Sequence, residues 1–284
     1  MSRLSMILAL LVVVLGAALA WVVARPVDAG MSEAEVRALV EESVAMRQDT
    51  AVAGLDADTL NPLIERYLLE NPRILQRVSE ALDTELRSAQ AAETQAAIAA
   101  MQAEIYDDPA NIVLGNPEGD VTLVEMFDYN CGYCRQALPD LATLLAEDPN
   151  LKVILKEFPI LSQESADAAR VSVLVGRSDA DYWDFHRRLF TARGQVTGET
   201  ALQTAQEMGL NRINLALEMG TPEVGAVIER SYQLATALNI SGTPTYIIGD
   251  ELIPGAVGID GLRTRIANMR NCGKTVCAPA DSEG

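Results

Sequence analysis

The stretch VTLVEMFDYNCGYCRQALPDLATLLAED (121–148) decides how this chain is read. Val121 to Phe127 is β-branched and apolar, the composition of a buried strand, and the turn-forming run Asn116-Pro117-Glu118-Gly119-Asp120 bounds it upstream. A helical pattern, interrupted by Pro139, follows the cysteines. Cys131 therefore falls where a strand ends and a helix begins, facing unpaired backbone N–H groups and the positive end of the helix dipole. That setting favours thiolate and makes a nucleophile of an ordinary thiol. Cys134 lies one turn further along, within reach of Cys131, so a disulfide between the two is open to attack and a mixed disulfide on Cys131 is open to release.

Three other uses of these cysteines compete. Zinc could take Cys131, Cys134, Cys272 and Cys277, although 137 residues separate the two pairs. A cysteine–histidine hydrolase would need His186, the only histidine, which in DYWDFHRRLF (181–190) reads as a helix surface or boundary residue. A purely structural Cys131–Cys134 bond would close so short a loop that it constrains little of the unfolded chain. Cys272 and Cys277, in NCGKTVCAPA (271–280) beyond the last helix, read instead as a structural disulfide that pins the C-terminus.

Outward from the cysteines, LKVILKEF (151–158) is a second strand, and strand–helix–strand is the parallel crossover unit. Residues 163–238 read as several helices, among them SADAARVSVLV and VGAVIERSYQLATAL. TPTYIIGD (243–250) and ELIPGAV (251–257) form a hairpin pair, and DGLRTRIANMR (260–270) a last helix. The domain 107–270 is thus α/β with a helical insert, and 271–284 is a tail.

Residues 26–106 read as helix nearly throughout. Ser32 and Glu35 have capping-box spacing, and Asn61-Pro62 and Asn71-Pro72 mark further helix starts. From Pro72 more than thirty residues continue without another glycine or proline, and Leu75, Val78, Leu82, Leu86 and Ala89 form an apolar stripe suited to a partner helix, from another copy or from the earlier helices of this segment. Residues 31–106 are accordingly expected to support a homo-oligomer. Within 1–25, Leu4 to Ala24 is an uncharged stretch long enough to span a bilayer, either an uncleaved anchor or a secretory signal with Ala18-Leu19-Ala20 as its cleavage site. Both readings place the rest of the chain outside the cytoplasm, where paired cysteines are expected to be disulfides. With 40 acidic against 22 basic residues among 284, the net charge of −18 opposes nucleic acid as a partner.

The sequence resembles the DsbA family of exported thiol-disulfide oxidoreductases through GNPEGDVTLVEMFDYNCGYC (115–134), KEFPIL (156–161) and SGTPTYIIGD (241–250). LLENPRILQRVSEAL (68–82) is similar to the segment that precedes this domain in the suppressor-of-copper-sensitivity group. The resemblance implies a thioredoxin-like fold with an inserted helical subdomain, with Cys131 attacking and Cys134 resolving. It implies a cis bond between Thr243 and Pro244 facing them, a substrate chain held by that loop and by Gly132 and Tyr133, and Glu125 as a buried acid that relays a proton. It further implies protein substrates and a membrane redox partner, with no cofactor and no metal. Gly132-Tyr133 and the threonine before Pro244 resemble the isomerases of the family, and the lack of an imidazole between the cysteines implies a less oxidising pair, so isomerase or reductase is favoured over oxidase. A membrane-tethered protein that sequesters copper or zinc on its thiols is the alternative.

Overall fold

The computed structural model describes residues 37–38 and 56–278. The chain divides into two compact units, residues 1–80 and 81–284. In the first, α1 (Ala57–Glu70) begins four residues before Asn61, so Pro62 lies inside the helix rather than opening it. Proline has a helix-compatible φ, and this near the start it costs no more than one early hydrogen bond. The long helix α2 (Arg73–Ala100) follows Asn71-Pro72, and a turn at Met101 separates it from the short α3 (Gln102–Tyr106). Leu75, Val78, Leu82 and Leu86 are all more than half exposed along α2.

The second unit is built on a five-stranded sheet in the order β1-β3-β2-β4-β5, from β1 (Ile112–Gly115), β2 (Val121–Phe127), β3 (Leu151–Glu157), β4 (Thr245–Ile248) and β5 (Glu251–Pro254). β2 and β3 are parallel, joined through α4 (Gly132–Glu147), and the other pairings are antiparallel. β2 and β3 are buried at nearly every position, as the continuous apolar runs require. Side chains alternate between two cores. Leu123, Phe127, Val153 and Leu155 join one core with Leu141 and Leu144 of α4, and Val124, Met126 and Ile154 join the other with Ile98 and Ile105. Glu125 is two residues from both Leu123 and Phe127, so it shares the α4 face.

The insert comprises α5 (Gln163–Gly176), α6 (Tyr182–Thr191), α7 (Gly198–Glu207), α8 (Arg212–Glu218) and α9 (Pro222–Ala237). Ser162, Asp181, Thr197 and Asn211 cap four of these helices, each accepting a backbone N–H on its side chain. The last helix, α10 (Gly258–Cys272), ends at Gly273 in the left-handed region. This is the thioredoxin-like fold with a helical insert that the resemblance implies.

Two local expectations are corrected. α4 runs through Pro139 without a break, because burial of Ala137, Leu141 and Leu144 on the sheet outweighs one missing hydrogen bond. β1 was not read from the sequence as a strand at all. It is a four-residue edge strand that ends on Gly115 with φ +72°, where a side chain would collide with the Leu151 carbonyl.

Candidate functional site

The end of β2 delivers the chain into a tight turn in which the Cys131 N–H donates to the Asp128 carbonyl at 3.0 Å. Cys131 then takes the N-cap position of α4, with extended dihedrals and no side-chain cap of its own. Its carbonyl accepts from Arg135 N at 3.1 Å, and its sulfur is left with the free N–H groups of the first turn. Across from it, the Thr243-Pro244 bond is cis. The Cys131 thiol donates to the Thr243 carbonyl at 3.1 Å. That loop is itself held, by Thr245 Oγ1 donating to Gly242 O at 2.7 Å and by Gly255 N donating to Pro244 O at 2.8 Å. Gly132 and Tyr133 stand exposed between two buried cysteines.

The electrostatics divide the pair. The Cys131 thiol is lowered to about 5. The hydrogen bond from the Cys134 thiol is the largest cause, opposed by burial and reinforced by the Thr243 side chain and the backbone N–H groups of Cys134 and Tyr133. Thr243 Oγ1 is buried and holds no other hydrogen-bond partner, so it is free to turn towards sulfur once the thiol has lost its proton. Cys134 is pushed far up by the bond it gives to Cys131, by burial and by the charge of Glu125. Glu125, fully buried beneath the pair, is raised to about 8 by desolvation and then by Cys131. Tyr246 lies opposite Glu125 in the β2–β4 register and is also pushed up, by burial and by Glu125. The arrangement supplies one ready nucleophile, one latent thiol and a proton acceptor below both.

The structure thus brings Cys131, Cys134, Glu125, Thr243 and Pro244 together with Gly132 and Tyr133. It places Cys272 and Cys277 elsewhere, bonded to each other at the end of α10. That bond leaves no four-cysteine zinc set. Among the described residues, no group of three or more His, Cys, Asp or Glu is arranged to hold a metal ion. His186 is not the surface residue its neighbours suggested. It is buried within ring contact of Phe127, Tyr129, Tyr182, Trp183 and Phe190, and burial lowers it to about 3. Its Nδ1 meets Tyr129 Oη at 3.2 Å, so it serves the core of the insert. Cavities of about 470 and 560 Å³ along α2, the β4–β5 turn and the tail include none of the site residues. Within the site, Tyr133 stands open to solvent at 64% exposure.

Sequence reading passed over Tyr246, Asp128 and Asn130. Tyr246 had a usable signal, since it sits two residues past Pro244 in a strand that must pair with the one carrying Glu125. Asp128 offered only a short local turn to Asn130 N, and the side-chain partners of Asn130 are remote in sequence.

The DSBA-like thioredoxin domain model matches residues 122–267, just over half of the chain, from the second residue of β2 into α10. The chain belongs to the DSBA-like thioredoxin domain family. Among solved structures, it is 39% identical to a thioredoxin-like oxidoreductase from Silicibacter pomeroyi DSS-3, with a TM-score of 0.57 over 60% of this chain and 98% of that one. It is 26% identical to a linker-deletion mutant of Proteus mirabilis ScsC, with a TM-score of 0.56 over 75% of this chain and 95% of the other. Among curated relatives, disulfide bond formation protein D of Bacillus subtilis is 27% identical over 168 residues, 54% of this chain and 74% of that protein. The chain spans about a quarter of the length of the first curated relatives it matches, Na(+)/H(+) antiporters such as NhaA 1 of Salinispora arenicola, at 26% identity over 57% of this chain.

Proposed function

We propose that this DSBA-like family member exchanges disulfides with protein substrates outside the cytoplasm, through Cys131 and Cys134. The observation that carries the reading is the Cys131 sulfur at a helix N-cap, bonded to the carbonyl of Thr243 before the cis-proline. The Cys131 thiolate attacks one sulfur of a substrate disulfide. That S–S bond breaks, a Cys131–substrate bond forms, and the leaving sulfur takes a proton. Once Cys131 is covalently bonded its negative charge is gone, and with it one of the two influences that hold Glu125 protonated. Glu125 then gives up its proton to solvent more readily, although burial still opposes this, and the resulting carboxylate accepts the Cys134 proton when that sulfur attacks Cys131. The substrate leaves as a dithiol with two electrons gained, and the Cys131–Cys134 disulfide holds the oxidised state until a membrane redox partner reduces it. Run backwards, the same steps oxidise a substrate.

Isomerase or reductase action is favoured over net oxidation by Gly132-Tyr133 and by the threonine before Pro244. The backbone of the Thr243-Pro244 loop offers hydrogen bonds to an extended chain whatever its side chains. Oligomerisation through residues 31–106 would hold several such sites around one misfolded client, and the exposed stripe Leu75, Val78, Leu82 and Leu86 supports that use. The Cys272–Cys277 bond supports an oxidising compartment. The anchor or signal in residues 1–25 lies outside the described residues. Among the described ones, no helix is long and apolar enough to cross a membrane.

The test is Cys134→Ala expressed in cells. It should accumulate mixed disulfides that disappear on reduction and fail to form when Cys131→Ser is added. A Cys134→Ala protein that traps nothing sinks the proposal. A glutathione titration of the wild-type pair then separates the directions, with a strongly oxidising potential pointing to oxidase and a more reducing one to isomerase or reductase.

A further inference from the structure

We infer that Asn130, held in place by Asp128, is the positioning residue that locks the helical insert to the attacking cysteine. The reading rests on Cys131 as the nucleophile and adds what aims it. Asn130 immediately precedes Cys131, and its carboxamide pairs with both backbone groups of Val196, in the loop between α6 and α7. Val196 N donates to Asn130 Oδ1 at 2.7 Å, and Asn130 Nδ2 donates to Val196 O at 2.8 Å. Two opposed bonds from one side chain to one residue imitate a strand neighbour, and they fix separation and direction together. The second Nδ2 proton goes to Ser165 Oγ at 2.9 Å, on the first turn of α5.

Asp128 completes the lock. Its Oδ1 accepts from Asn130 N at 2.7 Å and from Ser165 Oγ at 2.8 Å, and its Oδ2 accepts from Leu161 N at 3.0 Å. Asp128, Ser165 and Val196 are each at most 1% exposed, so every one of these groups would be stranded without its partner. The turn before Cys131, the loop after β3 and the insert loop are therefore tied at a single point. A second tie lies one turn into α4, where Arg135 Nη1 donates to Ala192 O at 3.3 Å. Nothing in this cluster reacts. It dictates where the first turn of α4 starts, and so where the N–H groups that face the Cys131 sulfur point.

If the lock aims Cys131, loosening it should degrade thiolate stabilisation while leaving the fold intact. The titratable groups facing that sulfur, Glu125, Cys134 and Tyr246, are untouched by the change. The test compares wild type with Asn130→Ala and Asn130→Gln, the latter neutral but too long to make both bonds to Val196. Three quantities are read: the pH midpoint of Cys131 alkylation by iodoacetamide, amide exchange in residues 192–197, and thermal unfolding. Asn130→Ala should raise the midpoint by up to about one pH unit. It should also speed exchange in 192–197 several-fold, with folding retained. An unchanged midpoint in a folded Asn130→Ala protein overturns the inference. Should that variant fail to fold, an unchanged midpoint in a folded Asn130→Gln protein overturns it equally. Alkylation needs no protein substrate, so a wild-type protein that lacks exchange activity would defeat the proposed function while this measurement still judged the lock.

Discussion

At the scale of single residues, Cys131 and Glu125 end at opposite sides of their ordinary values because only one of them receives hydrogen bonds. Burial alone raises both, as the charged form of each loses water. Cys131 ends low, at about 5, because a thiol and backbone N–H groups donate to it, whereas Glu125 has neither and ends at about 8. No imidazole is needed between the cysteines to reach that value. Glu125→Gln should leave the first attack on a disulfide fast and slow the release of the mixed disulfide. Stopped-flow measurement of the two phases checks this, and equal slowing of both would remove Glu125 from the proton relay. The same substitution has a stability signature. In the unfolded chain Glu125 loses its proton near 4.5 and in the folded chain near 8, so the stability it contributes is whole below 4.5 and lost as pH rises to 8. Urea unfolding of Glu125→Gln should therefore show a gain over wild type at pH 8 relative to pH 4.5, on the order of a few kcal/mol.

At the scale of elements, α4 shows how a tertiary surface overrides local preference. Pro139 lies in its interior and breaks the expected pattern, yet the helix continues because one face is covered by the sheet. α10 and the tail show a different device. The helix ends at Gly273, and the bond from Cys272 to Cys277 folds the following residues back, with Asn268 Nδ2 donating to Thr275 O at 2.8 Å. Changing both Cys272 and Cys277 to serine should cost about 2 kcal/mol, the amount expected for so small a loop. Disulfide exchange at Cys131 should be unaffected. A loss of exchange activity in a folded double variant would tie the tail to the site. α2 leaves Leu75, Val78, Leu82 and Leu86 exposed, and Leu82→Lys with Leu86→Lys should lower the molecular mass seen by light scattering. An unchanged mass would mean that this stripe is not where copies meet.

At the scale of the whole molecule, buried titratable groups bound the pH range of stability from both sides. His186 is neutral in the fold down to about 3 and takes a proton near 6.5 when unfolded. Its contribution is therefore present above 6.5 and lost as pH falls towards 3. Glu157, raised to about 8 by desolvation, acts with Glu125 on the alkaline side. Stability should thus fall away towards both acid and alkali, and His186→Phe should flatten the acid limb only. Tyr129 would keep its hydroxyl contacts with Ser172 at 2.9 Å and Tyr182 at 3.3 Å. A variant whose acid limb matches wild type would show that His186 is not what limits it.

What the sequence by itself determined is local. The run from Val121 to Phe127, the cysteines after it, the insert helices, the β4–β5 hairpin and the C-terminal cysteine pair each announce themselves through neighbouring residues, because periodicity, turn chemistry and spacing are properties of a short stretch. Family resemblance added Glu125 and the Thr243-Pro244 loop, which no short stretch would reveal. Only the tertiary structure decided the rest. β1 exists because β3 offers it an edge, His186 is buried because five aromatic rings close around it, and Asn130 meets Val196 across 66 residues of chain. Each of these depends on groups brought together by folding, and a side chain's environment is set by those groups rather than by the residues beside it in sequence.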